Sequence, residues 1–165
     1  MLEPMTAADE SIITAQLQRP PRGTVGIAYR CPCGKPAVVV TRPRLPDGTP
    51  FPTTYYLTCP RAVAGCSSLE SQGLMAEMNQ RLSRDHDLAL AYRRAHQHYL
   101  TARERLDSVP EIAGISAGGM PDRVKCLHAL VAHALAAGTG VNALGDEAVQ
   151  ALGAFWIRPC LEEAS

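Results

Sequence analysis

Two of the six cysteines in this chain, Cys31 and Cys59, are each followed directly by proline. A third, Cys126, stands two residues before His128, and a fourth, Cys160, follows a proline near the end of the sequence. Thiolates bind zinc and iron–sulfur clusters, and a cysteine–proline step recurs at ligand positions in ferredoxins. The cysteines therefore predict a metal or cluster site, with inert buried thiols as the alternative.

The spacing of these thiols argues against a zinc ribbon, which has two ligand pairs with two to four residues inside each pair. This chain has one tight pair, Cys31 and Cys33, and one wide pair, Cys59 and Cys66. The two cysteine–proline steps favour an iron–sulfur cluster, of the 4Fe-4S type, as the cofactor. Zinc is the alternative.

Cys126 is expected near the start of a helix predicted over 121–137, where Pro121 suits the first turn. On such a helix Cys126 and His128 are about 200° apart around the axis, so the two are not expected to chelate one ion. The helix dipole, with Arg123 and Lys125 nearby, favours a thiolate at Cys126. Either a metal ligand or a nucleophile fits this position.

A glycine-rich segment, 114–121, precedes the Cys126 region. Free backbone N–H groups at the start of a helix bind anions, so the segment predicts a pocket for phosphate or another small anion. An ordinary connecting turn is the alternative. The residues expected to bind the anion are Ser116, Gly118, Gly119, Arg123 and Lys125.

The elements that position these residues divide the chain into a β-rich part over 1–60, a helical part over 61–155 and a tail over 156–165. Strands are predicted at 24–30, 37–41 and 53–58, with a hairpin that carries Cys31 and Cys33 at its tip. Helices are predicted at 6–18, 67–82, 86–106, 121–137 and 146–155. Capping boxes are predicted for the first two, from Thr6 with Asp9 and from Ser67 with Glu70. The inward face of the long helix 86–106 is predicted to consist of Leu88, Tyr92, Ala95 and Tyr99. The fold class is therefore α+β: a small antiparallel sheet from the N-terminal third packed on an α-helical bundle, in a single domain.

Bulk composition narrows the class of protein. The chain has 165 residues, a formal net charge of zero and 46% hydrophobic residues, which is typical of a globular protein and gives no sign of a nucleic-acid partner. The longest apolar stretch, 129–137, is interrupted by His133 and is too short to span a bilayer. The acidic segment 1–10 does not resemble a targeting signal, so we expect a cytoplasmic protein whose thiols stay reduced.

Three blocks of the sequence together resemble an actinobacterial-type family known as domain of unknown function 501. The blocks are Arg30-Cys31-Pro32-x-Gly34-x-Pro36, Pro50-Phe51-Pro52-Thr53-x-x-x-Leu57-Thr58-Cys59-Pro60 and Lys125-Cys126-Leu127-His128-Ala129. The resemblance covers about residues 24–150 and implies that Cys31, Cys59 and Cys126 act as one ligand set. It implies no established activity.

The first hypothesis is a cytoplasmic cluster-binding or metal-binding protein in which Cys31, Cys59 and Cys126 are ligands. Cys160 is the first candidate for the fourth position, ahead of Cys33 or a substrate or water. The second hypothesis is a structural or regulatory interaction module with a structural zinc and a protein partner. The third is an enzyme with Cys126 as nucleophile and a histidine as base.

Overall fold

A three-stranded antiparallel sheet forms the N-terminal part of the protein and confirms the predicted α+β class. In the computed structural model, which describes residues 2–162, the strands are β1 (Thr24–Arg30), β2 (Pro36–Thr41) and β3 (Tyr55–Leu57). Their order is β1-β2-β3, and the central strand β2 is buried along its whole length. Strand β3 is shorter than the predicted run 53–58.

The turn between β1 and β2 carries Cys31 and Cys33, as the sequence predicts. The Cys31 N–H donates to the Lys35 carbonyl at 2.9 Å, and the Gly34 N–H donates to the Cys31 carbonyl at 2.8 Å. Gly34 has a φ of 88°, which lies in the left-handed region that favours glycine. This tight turn buries Cys31 and leaves Cys33 half-buried.

Helix α1 (Ala7–Leu17) precedes the sheet and begins where the sequence predicts. Thr6 accepts a hydrogen bond from the Asp9 N–H, and the Asp9 carboxylate accepts one from the Thr6 N–H, so the predicted capping box is present. The Arg30 side chain also pairs with Asp9, at 2.9 Å, and joins α1 to the end of β1. Hydrogen bonds from Arg30 hold the pKa of the Asp9 carboxyl well below its usual range although burial opposes this shift.

The single helix predicted over 67–82 is wrong. Two helices are present instead, α2 (Pro60–Ser71) and α3 (Leu74–Arg84), separated by Gly73, which has a φ of 88°. Helix α2 begins at Pro60 because proline suits the first helical position, where its missing N–H would have no partner in the helix. Ser67 therefore lies inside α2 and does not cap a helix.

Helix α4 (His86–Glu104) confirms the predicted long helix. The Asp85 carboxylate caps it by accepting a hydrogen bond from the Leu88 N–H at 3.0 Å. The predicted inward face is buried, and it consists of Leu88, Tyr92, Ala95 and Tyr99. A short 3₁₀ helix, Pro110–Ile112, follows in the connection to the glycine-rich segment.

The predicted start of the next helix, at Pro121, is wrong. Helix α5 (Leu127–Ala137) begins six positions later, with Cys126 in extended conformation as its N-terminal flanking residue. Asn79 holds the preceding segment, since it accepts from the Val124 N–H at 2.7 Å and donates to the Val124 carbonyl at 3.0 Å. These two hydrogen bonds satisfy backbone groups that would otherwise pair within a helix.

Helix α6 (Ala143–Leu152) begins three residues earlier than predicted, with Asn142 accepting a hydrogen bond from the Gly145 N–H at 2.9 Å. Helix α5 packs against α2, α6 and the sheet. One hydrophobic core runs through both parts of the chain, from Val38 and Leu57 in the sheet to Leu130 and Leu144 in the helices. Among the helices within residues 2–162, none combines the length and apolarity that crossing a membrane requires.

Candidate functional site

Four cysteines from three distant segments lie together, and we call them the four-thiol group. Cys31 and Cys33 come from the β1–β2 turn, Cys59 flanks the start of α2, and Cys160 lies in the C-terminal tail. Cys31, Cys59 and Cys160 are buried, at 3%, 0% and 7% exposure, while Cys33 is half-buried. No three of these sulfur atoms lie within 4.8 Å of one another, so the group is looser than a formed thiolate metal site.

The contacts within the four-thiol group are close. The sulfur atoms of Cys33 and Cys160 are 3.8 Å apart, and the Cys33 N–H lies 3.4 Å from the Cys31 sulfur atom. The Gln16 side-chain amide donates to the Cys160 sulfur atom at 3.6 Å. Donors of this kind stabilise the thiolate form and orient a sulfur ligand.

Without a cation, two of these thiols, Cys31 and Cys160, resist ionisation. Burial raises the pKa of Cys31 to about 12 and the pKa of Cys160 to about 11, and charge on Cys33 or Cys59 opposes ionisation of both. Burial also acts against the Cys33 thiolate, but hydrogen bonds from the Lys35 backbone and neighbouring thiols lower its pKa. A bound cation reverses this balance because it favours thiolates.

A second group, which we call the mixed donor group, consists of Glu70, Cys126 and His128. One ligand atom from each residue lies within 4.8 Å of the other two. The His128 Nδ1 atom is 3.8 Å from the Cys126 sulfur atom and 3.0 Å from Glu70 Oε1. Cys126 and His128 therefore do approach each other, against the expectation from helical spacing, because α5 begins only after Cys126.

Electrostatics favour an ion pair between the Cys126 thiolate and the protonated His128 ring. The hydrogen bond with Cys126 raises the pKa of His128 to about 8, although burial opposes this shift. Burial acts to raise the pKa of Cys126, but the hydrogen bonds with His128 and the Ala129 N–H outweigh it and lower that pKa. The neighbouring Cys66, by contrast, has its pKa raised to about 12 by burial, so it stays a neutral packing residue.

A cleft of about 600 Å³ opens beside the mixed donor group, and Cys126 and His128 are among its lining residues. Most of the other walls come from the sheet edge and α2, including Tyr55 and Val63. Gln16 also lines the cleft, and its Oε1 atom is buried without a hydrogen-bond partner. A cleft that combines apolar walls with a few polar groups is typical of a small-molecule site.

The glycine-rich segment folds onto itself before α5. The Lys125 N–H donates to the Gly118 carbonyl at 2.8 Å, and the Arg123 N–H donates to the Gly119 carbonyl at 3.1 Å. A Cβ atom at Gly119 would lie 2.5 Å from the Arg123 carbonyl oxygen, so this tight turn requires glycine there. Ser116 is buried and lies 2.7 Å from His96 Nδ1, while the Arg123 and Lys125 side chains are exposed.

The first backbone N–H of α5 has a partner within the chain. The Leu127 N–H donates to Glu70 Oε1 at 2.9 Å, so a carboxylate of the protein already lies where a bound anion was expected. The predicted anion-binding residues Gly118 and Lys125 pair with each other instead. A small anionic ligand at this segment stays a prediction.

The structure places the four predicted ligands in two groups. Cys31, Cys59 and Cys160 belong to the four-thiol group, whereas Cys126 belongs to the mixed donor group. Cys59 lies at the beginning of α2 and Glu70 in its last turn, so about 16 Å of helix separates them. Sequence reasoning missed Glu70 as a candidate because it assigned that residue to a capping box.

These features define the class of protein: within residues 2–162, an α+β protein with a small antiparallel sheet, six α-helices and one compact group of potential metal ligands, Glu70, Cys126 and His128. The model of the family described as protein of unknown function (DUF501) matches residues 27–150. The chain belongs to this family, as the three sequence blocks predict. No curated protein matches the chain, and no solved structure matches it.

Proposed function

We propose that the protein binds a metal ion through Cys31, Cys33, Cys59 and Cys160, and that this ion is zinc. The single observation behind the proposal is the contact between the Cys33 and Cys160 sulfur atoms, which lie 3.8 Å apart near the buried Cys31 and Cys59. Tetrahedral zinc with sulfur at about 2.3 Å separates two ligand atoms by about 3.8 Å. The spacing of this pair therefore fits two ligands of a single ion, and the other sulfur atoms would move closer to complete the site.

The same distance disfavours the 4Fe-4S cluster that the sequence favours. In such a cluster each thiolate binds a different iron atom, so the four sulfur ligands lie further apart than around one ion. Cys33 and Cys160 are too close for that arrangement unless the tail moves. The change from cluster to zinc follows from Cys33 joining the ligand set.

Four sulfur ligands leave no open position on zinc, which indicates a structural role. The ion would join the hairpin tip with Cys31 and Cys33, the start of α2 at Cys59 and the tail at Cys160. Within the described part of the tail, 156–162, the Ile157 N–H donates to the Ala154 carbonyl and the Arg61 side chain donates to the Pro159 carbonyl, each at 3.2 Å. Metal binding thus contributes directly to the stability of the folded chain.

The proposal includes a cytoplasmic location. An oxidising compartment would favour a disulfide between neighbouring thiols such as Cys33 and Cys160, and that bond would remove two ligands. A reducing compartment keeps the four thiols available for metal. Fractionation of cells that express the tagged protein tests this part, and recovery outside the cytoplasm would contradict it.

Metal analysis of anaerobically purified protein tests the proposed ion. We expect zinc without acid-labile sulfide, and we expect Cys33→Ser and Cys160→Ser each to remove one equivalent of zinc per chain. Cys66→Ala is the matched control, because Cys66 is a fully buried thiol outside the four-thiol group, and it should keep the full zinc content. Iron with stoichiometric sulfide, or wild-type zinc content in Cys33→Ser, would overturn the proposal.

A further inference from the structure

We propose that Glu70, Cys126 and His128 form a second metal site, which binds a divalent ion of the zinc type and keeps one coordination position open toward the cleft. The site goes beyond the four-thiol zinc, since it uses a different set of residues at the other end of α2. Three protein ligands with one open position are the arrangement found in catalytic zinc sites.

The donor chemistry suits a divalent cation. A thiolate, an imidazole and a carboxylate are all ligands that zinc accepts, and together Cys126 and Glu70 carry two negative charges when ionised. The neutral His128 ring completes the set. Binding of one divalent ion therefore leaves this half-buried group without net charge, in a region where Glu70 and His128 are only 25% and 29% exposed.

The orientation of His128 favours a metal over a catalytic triad. In a triad the histidine turns one ring nitrogen to the nucleophile and the other to the acid. Here one atom, His128 Nδ1, faces both the Cys126 sulfur atom at 3.8 Å and Glu70 Oε1 at 3.0 Å. A single proton on Nδ1 cannot serve both partners well, whereas one ion among the three atoms contacts all of them.

Two outer contacts fix the ligands in place. The Ser67 hydroxyl lies 3.3 Å from His128 Nε2, the ring nitrogen that faces away from the proposed ion. The Leu127 N–H donates to Glu70 Oε1 at 2.9 Å. Histidine ligands of metals are commonly oriented by a hydrogen bond to the other ring nitrogen, as Ser67 provides here, whereas the Leu127 N–H holds the Glu70 oxygen that faces His128.

The cleft can hold a ligand that binds the open coordination position of the proposed ion. Cys126 and His128 line it, and so does Gln16, which is 8% exposed and has a buried Oε1 atom without a partner. An acceptor left unpaired in this way costs free energy unless a donor reaches it. Because Oε1 has no exposed surface, a ligand in the cleft reaches the ion and not this atom, so we infer a small ligand with an oxygen or sulfur donor.

Cobalt(II) binding tests the site separately from the four-thiol group. In a Cys33→Ser background we expect one equivalent of Co²⁺ per chain, with a thiolate-to-cobalt absorption of the intensity of one thiolate. Adding Cys126→Ser should abolish that absorption, and adding Glu70→Gln should weaken Co²⁺ binding about tenfold or more. Cys66→Ala, which removes a neighbouring thiol outside the set, should change neither. Absorption that persists in Cys126→Ser would overturn the second site.

Protection from alkylation gives a second readout in the wild-type chain, which is useful if the Cys33→Ser background folds poorly. Zn²⁺ should slow iodoacetamide modification of Cys126, located by peptide mapping, and Glu70→Gln should weaken this protection. Equal modification with and without Zn²⁺ would overturn the metal site and favour a free nucleophile. Failure of the four-thiol proposal looks different, because Cys33→Ser would then keep the wild-type zinc content.

Discussion

The sulfur atoms of Cys33 and Cys160 lie 3.8 Å apart although 127 positions separate the two residues in the sequence. This contact joins the C-terminal tail to the hairpin tip of the sheet. The tail lies outside the matched family segment 27–150, so one member of the four-thiol group comes from beyond that segment. The proposed zinc site would give the tail a role in stability that depends on metal.

Cys160→Ser should therefore destabilise the zinc-loaded protein more than the metal-free protein. At a hundredfold excess of zinc over its Kd, ligand binding contributes about 3 kcal/mol to the free energy of unfolding, and losing a ligand removes most of that. Chemical denaturation with zinc and with a chelator measures both values. An equal loss of stability in the two conditions would contradict a metal-dependent role for the tail.

Ser67→Ala tests whether Ser67 positions His128 as a metal ligand. The substitution removes the hydroxyl 3.3 Å from His128 Nε2, and we expect the Kd for Co²⁺ at the mixed donor group to rise about tenfold. Ser67→Thr keeps a hydroxyl and should restore most of the affinity. Ser67 is exposed, so the stability of the metal-free protein should barely change. An unchanged Kd in Ser67→Ala would contradict the positioning role.

Asn79→Ala tests how the chain holds Cys126 outside a helix. Both hydrogen bonds between Asn79 and the buried Val124 backbone would be lost, which costs about 1 to 3 kcal/mol because those groups are left unpaired. Urea denaturation measures this loss. Gln80→Ala, at an exposed position of the same helix, is the control and should change stability by less than about 0.5 kcal/mol. Similar losses of stability in Asn79→Ala and Gln80→Ala would contradict a role for Asn79 in holding the Val124 backbone.

The burial of His133 predicts that the stability of the protein depends on pH. It is fully buried and accepts a hydrogen bond from the Asn142 amide, so its other ring nitrogen donates to His98. Burial lowers the pKa of His133 to about 3 from an ordinary value of 6.5, with a smaller contribution from charge on His98. Below pH 6.5 the unfolded chain therefore takes up a proton that the folded chain does not, and stability falls as the pH falls.

We expect His133 to remove about 1 to 2 kcal/mol from the free energy of unfolding between pH 6.5 and pH 5. His133→Gln should reduce the slope of stability against pH in this range by nearly one proton, since glutamine does not titrate. The remaining slope includes His96 and His98, whose pKa values burial also lowers. Denaturation curves at several pH values measure the slope. An unchanged slope in the variant would contradict this account.

The fold was largely predictable because its signals are local. The β-rich runs and the hairpin tip follow from residue type, and Thr6 and Asp85 cap helices through their own side chains. The start of α5 was not predictable, because Asn79 sets it from another helix. Likewise, Pro60 marked the start of α2, but the Ser67 pattern resembled a capping box about two turns too late.

The candidate sites were predictable in residue type but not in grouping. Cys31, Cys59, Cys126 and Cys160 could be singled out from their neighbours in sequence. Their division into two groups depends on the path of α2, which separates Cys59 from Glu70. Glu70 joins Cys126 only through packing of α2 against α5, a long-range contact that spacing along the chain does not encode.

X-ray absorption at the zinc edge tests directly whether the four-thiol group binds a zinc ion. The Cys126→Ser variant, loaded with zinc and freed of excess metal, should retain only the ion of the four-thiol group. The account predicts four sulfur neighbours at about 2.3 Å around that zinc. Fewer sulfur neighbours with nitrogen or oxygen in their place, or a variant that retains no zinc, would contradict a site formed by Cys31, Cys33, Cys59 and Cys160.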